Sequence, residues 1–227
     1  MAGMPTTRWS LVLKLAAFDP EVARRAIAAL YMIYREPVRL FFERECGDRS
    51  KADDLTQALF ADLVERGHSF RPDPEHGRFR NYLLAAARHR LQNDARRARV
   101  RKEEPLRDEA LGSLRAERTP EDEFNAACAK QVLRIALADL ESEYEQRGAA
   151  RVFHVLLPFL LPDGNEPTYE TIAVRLGKRA GAVKMDVLRI RRRLGEKVRD
   201  IVAVTTADDE VEDELRALAS FRQRRGP

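Results

Sequence analysis

Val183, Val187, Ile190 and Leu194 recur at three- and four-residue spacing inside a stretch dominated by arginine and lysine. At about 100° per residue these four side chains form one stripe along a helix, and that stripe must be core. The same spacing runs through most of the chain. Between Val22 and Arg44 it places Ala26, Ile27, Leu30, Ile33, Tyr34, Val38, Phe41 and Phe42 on one face, with Pro37 expected to kink or interrupt the helix and Gly47 and Asp48 expected to end it. Asp53 to Arg66 turns Leu55, Leu59, Phe60, Leu63 and Val64 inward and stops at Gly67. Phe79 to Arg101 carries Leu83, Leu84, Ala87 and Leu91 as its apolar stripe. Phe124 to Tyr144 and Ala149 to Leu161 read as two more helices, followed by the turn Pro162-Asp163-Gly164-Asn165. No long stretch shows strand-like alternation, and aromatic residues make up only 7% of the chain, which argues against a large strand-rich core. The pattern predicts an all-α protein.

The 227 residues carry a net charge of only +4, but the charges are strongly segregated. Arg78 to Lys102 holds nine arginines and lysines against Asp94 alone. Lys178 to Arg199 holds nine against Asp186 and Glu196. Between the two blocks, Glu103 to Glu123 has eight acids and three bases, and Asp208 to Leu215 has six acids and no base. Two basic blocks separated by an acidic stretch point to two contacts with a polyanion. The expected organisation is two small helical domains joined by an acidic linker. Residues 1–102 form the first, 103–123 the linker, 124–204 the second, and 205–227 an acidic-to-basic extension.

The motif with most chemical content is Tyr169 to Gly177 followed by the second basic block. Thr168 is a candidate N-cap, although Thr171 rather than Glu occupies the capping-box position. Ile172, Ala173 and Leu176 form the inner face of a short helix, and Gly177 supplies the positive φ that ends it. A second helix begins near Ala180, and opposite its core stripe lie Lys184, Met185, Leu188, Arg189 and Arg192. Cations for phosphates and guanine edges, with apolar groups for thymine methyls, are what a recognition helix needs in a major groove. The order short helix, glycine turn, basic helix is that of a helix-turn-helix. A solvated basic helix with two stray apolar residues is the plainer alternative.

On the first basic block, Arg88, Arg96, Arg99 and Lys102 can follow a phosphate backbone, and Asn81, His89, Gln92 and Asn93 can reach base edges. Phe79 and Tyr82 have two uses open to them, stacking on an unpaired base or filling the core. Two further features are candidates for regulation. Thr56 is a hydroxyl inside an acidic segment, where phosphorylation would add charge, the plainer alternative being a buried or helix-solvating threonine. Val211, Leu215 and Leu218 share one face of the acidic tail, which is expected either to dock on the second domain or to cover the recognition helix.

Ala52-Asp-Asp-Leu-Thr-Gln57, the run Phe79-Arg-Asn-Tyr-Leu-Leu-Ala-Ala-Ala-Arg-His89 with its trailing arginines, and Tyr169 to Leu194 occur in this order and spacing. In these three motifs the chain resembles the extracytoplasmic-function sigma factors of bacterial RNA polymerase, over roughly Ala23 to Val202. Thr7-Arg8-Trp9-Ser10 and Val211-Glu-Asp-Glu-Leu215 are similar to one subgroup. The resemblance implies that Asp53, Asp54 and Gln57 dock on core RNA polymerase, as acids and an amide on one helical face can do against arginines of a partner. It implies that Arg78, Phe79, Arg80, Tyr82, Arg88, His89, Asn93, Arg96 and Arg97, with the loop Ser69 to Gly77, hold the melted element of promoter DNA around one flipped base. It further implies that Lys184, Met185, Leu188, Arg189 and Arg192 read the upstream element as duplex, and that the acidic linker threads the polymerase's RNA exit path. Tyr82 stands where the family often has Trp, His89 stands where Asn is common, and Phe153 to Pro167 is longer than in ordinary members.

An enzyme is not expected. Asp53 and Asp54 are adjacent and so point apart on a helix, and no third acid shares a metal-site spacing with them. His68, His76, His89 and His154 are dispersed, and there is no HExxH, Gly-rich phosphate loop or nucleophile elbow. No cofactor and no metal are expected. Cys46 and Cys128, 82 positions apart, read as small core thiols. The longest internal uncharged run, Val152 to Pro162, is 11 residues, short of the ~18 needed to span a bilayer. Leu11-Val12-Leu13 is broken by Lys14, so a cytoplasmic protein without membrane contact is expected. The competing function is a helix-turn-helix transcription regulator that works without polymerase. An anti-sigma factor or a kinase is left open as a further partner.

Overall fold

The computed structural model describes residues 20–65, 79–100, 119–162, 164–206 and 210–223. Among these residues there are eight helices and no strand: α1 (Pro20–Cys46), α2 (Arg49–Glu65), α3 (Phe79–Val100), α4 (Pro120–Gln146), α5 (Ala150–Leu160), α6 (Tyr169–Leu176), α7 (Ala180–Ala203) and α8 (Val211–Gln223). The protein is all-α, as the apolar spacing requires. The opening Thr7 to Ser10, the loop Ser69 to Gly77 with Arg78, and residues 103–118 of the acidic stretch lie outside the described residues.

Two compact units result. One comprises residues 1–131 with 202–227, and the other comprises 132–201. This division departs from the sequence-based one in two ways. The boundary falls inside α4 rather than at the acidic stretch, and the C-terminal segment returns to the first unit.

In the first unit α1, α2 and α3 pack on one another. Leu30, Val38, Phe42, Leu59, Phe60, Phe79 and Leu83 are buried at their centre. Edge-on ring contacts link the layers, Tyr31 to Phe60 at 4.9 Å and Tyr34 to Phe79 at 5.4 Å between centroids. Helix α1 continues through Pro37 without interruption. The proline removes one donor and crowds the preceding turn. However, Ile33, Tyr34, Val38, Phe41 and Phe42 around it are all buried, and this packing keeps the segment helical. Gly47, at φ 67°, closes α1 by donating to the Glu43 carbonyl at 2.9 Å. Asp48 then accepts from the Lys51 amide at 3.1 Å, which starts α2 at Arg49, four residues before the position the apolar pattern suggests.

The first turns of α4 and the C-terminal segment complete this unit. Phe124 and Cys128 are buried, and Phe124 meets Phe41 edge-on at 6.4 Å. Gln131 Nε2 donates to the Met32 carbonyl at 2.8 Å. Tyr34 donates its hydroxyl proton to Thr205 Oγ1 at 3.1 Å. Helix α8 buries Val211, Glu214 and Leu218. The acidic tail therefore belongs to the first unit, where the sequence-based expectation assigns it to the second. Its apolar stripe fits the three-four rule, but periodicity does not say which unit it serves.

The second unit is built on Ala136, Leu140, Phe153, Leu156, Phe159, Leu160, Ile172, Val183, Val187 and Ile190. The uncharged run after Ala150 supplies α5, whose Phe153, Leu156, Phe159 and Leu160 are buried. No helix among the described residues is long and apolar enough to cross a membrane. Thr168 caps α6, its Oγ1 accepting from the Thr171 amide at 3.2 Å. Gly177 adopts φ 63° and ψ 34°, and the amide of Lys178 bonds the Ala173 carbonyl at 2.9 Å. A Cβ at Gly177 would meet nothing within 4 Å. Gly177→Ala is therefore expected to cost about 1–2 kcal/mol from the left-handed backbone alone, whereas Leu156→Ala should cost about 2–5 kcal/mol by opening a core cavity. Urea unfolding of the two variants beside wild type checks both.

Candidate nucleic-acid interface

Helix α7 sorts its cations by face. On the flank toward α4, Arg193 is held by Glu143 at 2.6 Å, and Lys197 by Glu143 at 2.9 Å and by Asp139. Arg191 Nε donates to the Phe159 carbonyl at 3.1 Å. These three cations tie α7 to α4 and α5. The outward row is what remains. Lys184, Met185, Leu188, Arg189 and Arg192 are all exposed, with Met185 and Leu188 each 49% exposed. Arg189 is held loosely by Asp186 at 3.1 Å, and Asp186 also takes Lys178 at 2.6 Å. Arg192 pairs with Glu196 at 3.1 Å. All five residues singled out for duplex recognition thus lie on one open face. An open ion pair of this kind contributes about 0–1 kcal/mol and exchanges readily for a phosphate.

Helix α3 divides in the same way, with a different outcome for two residues. Asn81, Tyr82, His89, Arg96 and Arg97 are exposed, and Arg88 and Asn93 are partly so. Phe79 and Arg80, which the resemblance places on the DNA face, are instead buried. Phe79 packs on Tyr34 and Tyr82 in the core. Arg80 lies 2.7 Å from Glu214 of α8 and hydrogen-bonds Asn125 of α4. Phe79, Arg80, Leu83, Leu84 and Ala87 share the inner face of α3, so both depart from the expected set for a simple angular reason. Arg88 pairs with Glu121, and Arg90 with Asp62 at 2.5 Å.

Between α2 and α3 lies an open groove of about 290 Å³. Leu59 and Leu63 line it together with Tyr82, His89, Asn93 and Arg97. Asn93 Nδ2 sits 3.2 Å from His89 Nδ1. Apolar side chains, an aromatic ring and several polar groups in one groove suit a planar heterocycle bearing hydrogen-bonding edges. The sequence suggested the aromatic and the polar residues but not the α2 leucines that join them.

The third candidate set lies on α2. Asp54 and Gln57 are exposed, and Asp53 is partly buried with Arg35 4.0 Å away. Thr56, by contrast, is buried, and its hydroxyl donates to the Ala52 carbonyl at 2.7 Å. Its position one turn along the inner face from Ala52 removes it from the accessible set, which favours the plainer reading of a buried threonine over a modifiable hydroxyl. Among the described residues no group of three His, Cys, Asp or Glu could hold a metal ion.

Burial pushes the Cys128 thiol and the Tyr34 hydroxyl well above their ordinary ranges, so both stay neutral. Glu143 moves the other way. Hydrogen bonds from Arg193 and then Lys197 hold its carboxyl down from 4.5 to about 2. A carboxylate with a depressed folded-state pKa stabilises the fold fully above its unfolded value, and that stability is lost as pH falls through the folded one. The α4–α7 contact is expected to weaken between about pH 4.5 and pH 2. Glu143→Gln should flatten that acid limb in thermal unfolding curves, and an unchanged limb would assign it to other carboxylates.

Residues 30–101, about a third of the chain, match the family model Sigma-70 region 2. The matched segment contains most of α1, all of α2 and α3, the groove between them and the Asp53, Asp54 and Gln57 face. The match supports a sigma-factor role in RNA polymerase binding and promoter recognition. No curated protein and no solved structure matches the chain.

Proposed function

We propose that this chain is an alternative sigma factor of the extracytoplasmic-function type, which binds core RNA polymerase and directs it to promoters. The observation that carries the proposal is the region 2 match centred on α2 and α3, where exposed Asp54 and Gln57 lie on one helix and the Tyr82–His89–Asn93 groove borders the next. Asp54 and Gln57, with Asp53 beside them, offer acceptors to arginines of a clamp-like surface on the polymerase. The groove takes one unpaired base of the melted promoter. Tyr82 stacks on it, His89 and Asn93 meet its edge, and Arg96 and Arg97 hold the flanking phosphates.

The second unit reads duplex DNA as a helix-turn-helix. Helix α6 and the Gly177 turn set α7 against the major groove. Arg189 then addresses a base edge, Met185 and Leu188 meet thymine methyl groups, and Lys184 and Arg192 pair with phosphates.

Binding of labelled protein to core RNA polymerase, measured by fluorescence anisotropy, tests the reading. Tight binding lost in an Asp53→Arg/Asp54→Arg variant supports it. Duplex DNA bound by the chain alone, with no polymerase binding, favours the polymerase-independent regulator instead. Arg189→Ala should weaken recognition of the upstream element by about 1–3 kcal/mol while leaving scrambled duplex unchanged. Equal loss on both duplexes would reassign Arg189 to a phosphate. Tyr82→Ala should cost about 1–3 kcal/mol on single-stranded promoter DNA and nothing on duplex.

A further inference from the structure

Two acidic segments distant in sequence each place a carboxylate on an arginine of α3. Glu121, at the start of α4, pairs with Arg88, and Glu214 of α8 pairs with Arg80. The second contact is closed to solvent, with side chains only 5% and 6% exposed. It sits among Asn125, Tyr34 and Cys128. Among the described residues of the C-terminal segment, Val202, Thr205, Thr206, Val211 and Leu218 are buried beside it, and Thr205 accepts the Tyr34 hydrogen bond.

A buried ion pair adds little net stability, because desolvating two charges offsets their attraction. The pair therefore fixes where α8 docks more than it strengthens the docking. A carboxylate carries the same charge, and the same planar match to guanidinium, as a phosphate edge.

From these contacts we propose that α8 is an intramolecular latch. Docked, its Glu214 stands in for DNA phosphate on Arg80 and lowers the affinity of the free chain for single-stranded DNA. Released, it withdraws that carboxylate from Arg80, in the first turn of α3 and two residues from Tyr82. This rests on the reading of α3 as the DNA-facing helix. Arg80 then contributes to the electrostatic field that draws the strand rather than reading a base.

The full chain tests this by titration into a fluorescein-labelled single-stranded oligonucleotide over a range of salt. Glu214→Gln and Leu218→Asp are the two release variants. Hydrogen exchange reports whether residues 211–220 have opened while α1 to α3 stay protected. The expected result is an affinity about fivefold higher at 0.1 M salt and a log–log salt slope steeper by about 0.7, the signature of one further phosphate contact on a single strand. Arg80→Gln in the released background should return both to wild type.

Unchanged affinity with α8 demonstrably open would overturn the latch. So would loss of protection throughout α1 to α3 in both variants, since α8 would then be a structural part of the unit. Arg96→Ala/Arg97→Ala separates the two readings. If those substitutions leave single-strand binding intact, the DNA-facing assignment of α3 fails. If they weaken it while the release variants do nothing, only the latch fails.

Discussion

Three cations among the described residues are less than a tenth exposed, Arg39, Arg80 and Lys197, and each is held by carboxylates. The desolvation cost of a bare guanidinium or ammonium leaves no other arrangement open. In a chain with 34% charged residues this one constraint governs much of the architecture. It pins α7 to α4 through Lys197 and Glu143, seats α8 on the first unit through Arg80, and closes an i, i+3 and i, i+4 pair of contacts around Arg39 on α1. Cations such as Arg189 and Arg192, whose carboxylate pairs lie in the open, keep their heads in water.

The sorting gives each helix two chemical personalities. On α7, Lys197 is buried against Glu143 and Arg193 reaches the same carboxylate from the surface, while Arg189, four positions before Arg193, and Arg192, directly before it, lie on the open face. On α3, Arg80 is buried while Arg96 and Arg97 are exposed. A basic block in sequence is thus a mixture of mortar and interface. Its net charge overstates the number of groups available to a polyanion, because part of that charge is neutralised inside the fold.

Much of the fold was legible in the sequence because helical periodicity is a local property. The spacing of Val183, Val187, Ile190 and Leu194 placed the core stripe of α7, and all four are buried. Thr168 and Gly177 act as cap and stop because their side-chain and backbone chemistry is decided within four residues. The outward row of α7 followed from the same angular argument. Pro37 did not interrupt α1, where Ile33, Tyr34, Val38, Phe41 and Phe42 around it are buried. Phe79 took the core place that was open to it, whereas Arg80 was misleading because a resemblance assigns roles to a helix while burial is decided residue by residue around it.

The sequence by itself determined that the chain is helical, where its apolar stripes run, and that its positive charge is concentrated in two blocks. These follow from spacings of three, four and seven residues, over which backbone geometry alone sets direction. Only the tertiary structure decided which cations are spent on carboxylates, that the acidic tail joins the first unit, and that Leu59 and Leu63 of α2 share a groove with Tyr82 and Asn93 of α3. Each of these joins residues from separate helices. Such pairings depend on how whole helix faces fit together and on where a buried charge finds its counter-charge, neither of which any local window of sequence contains.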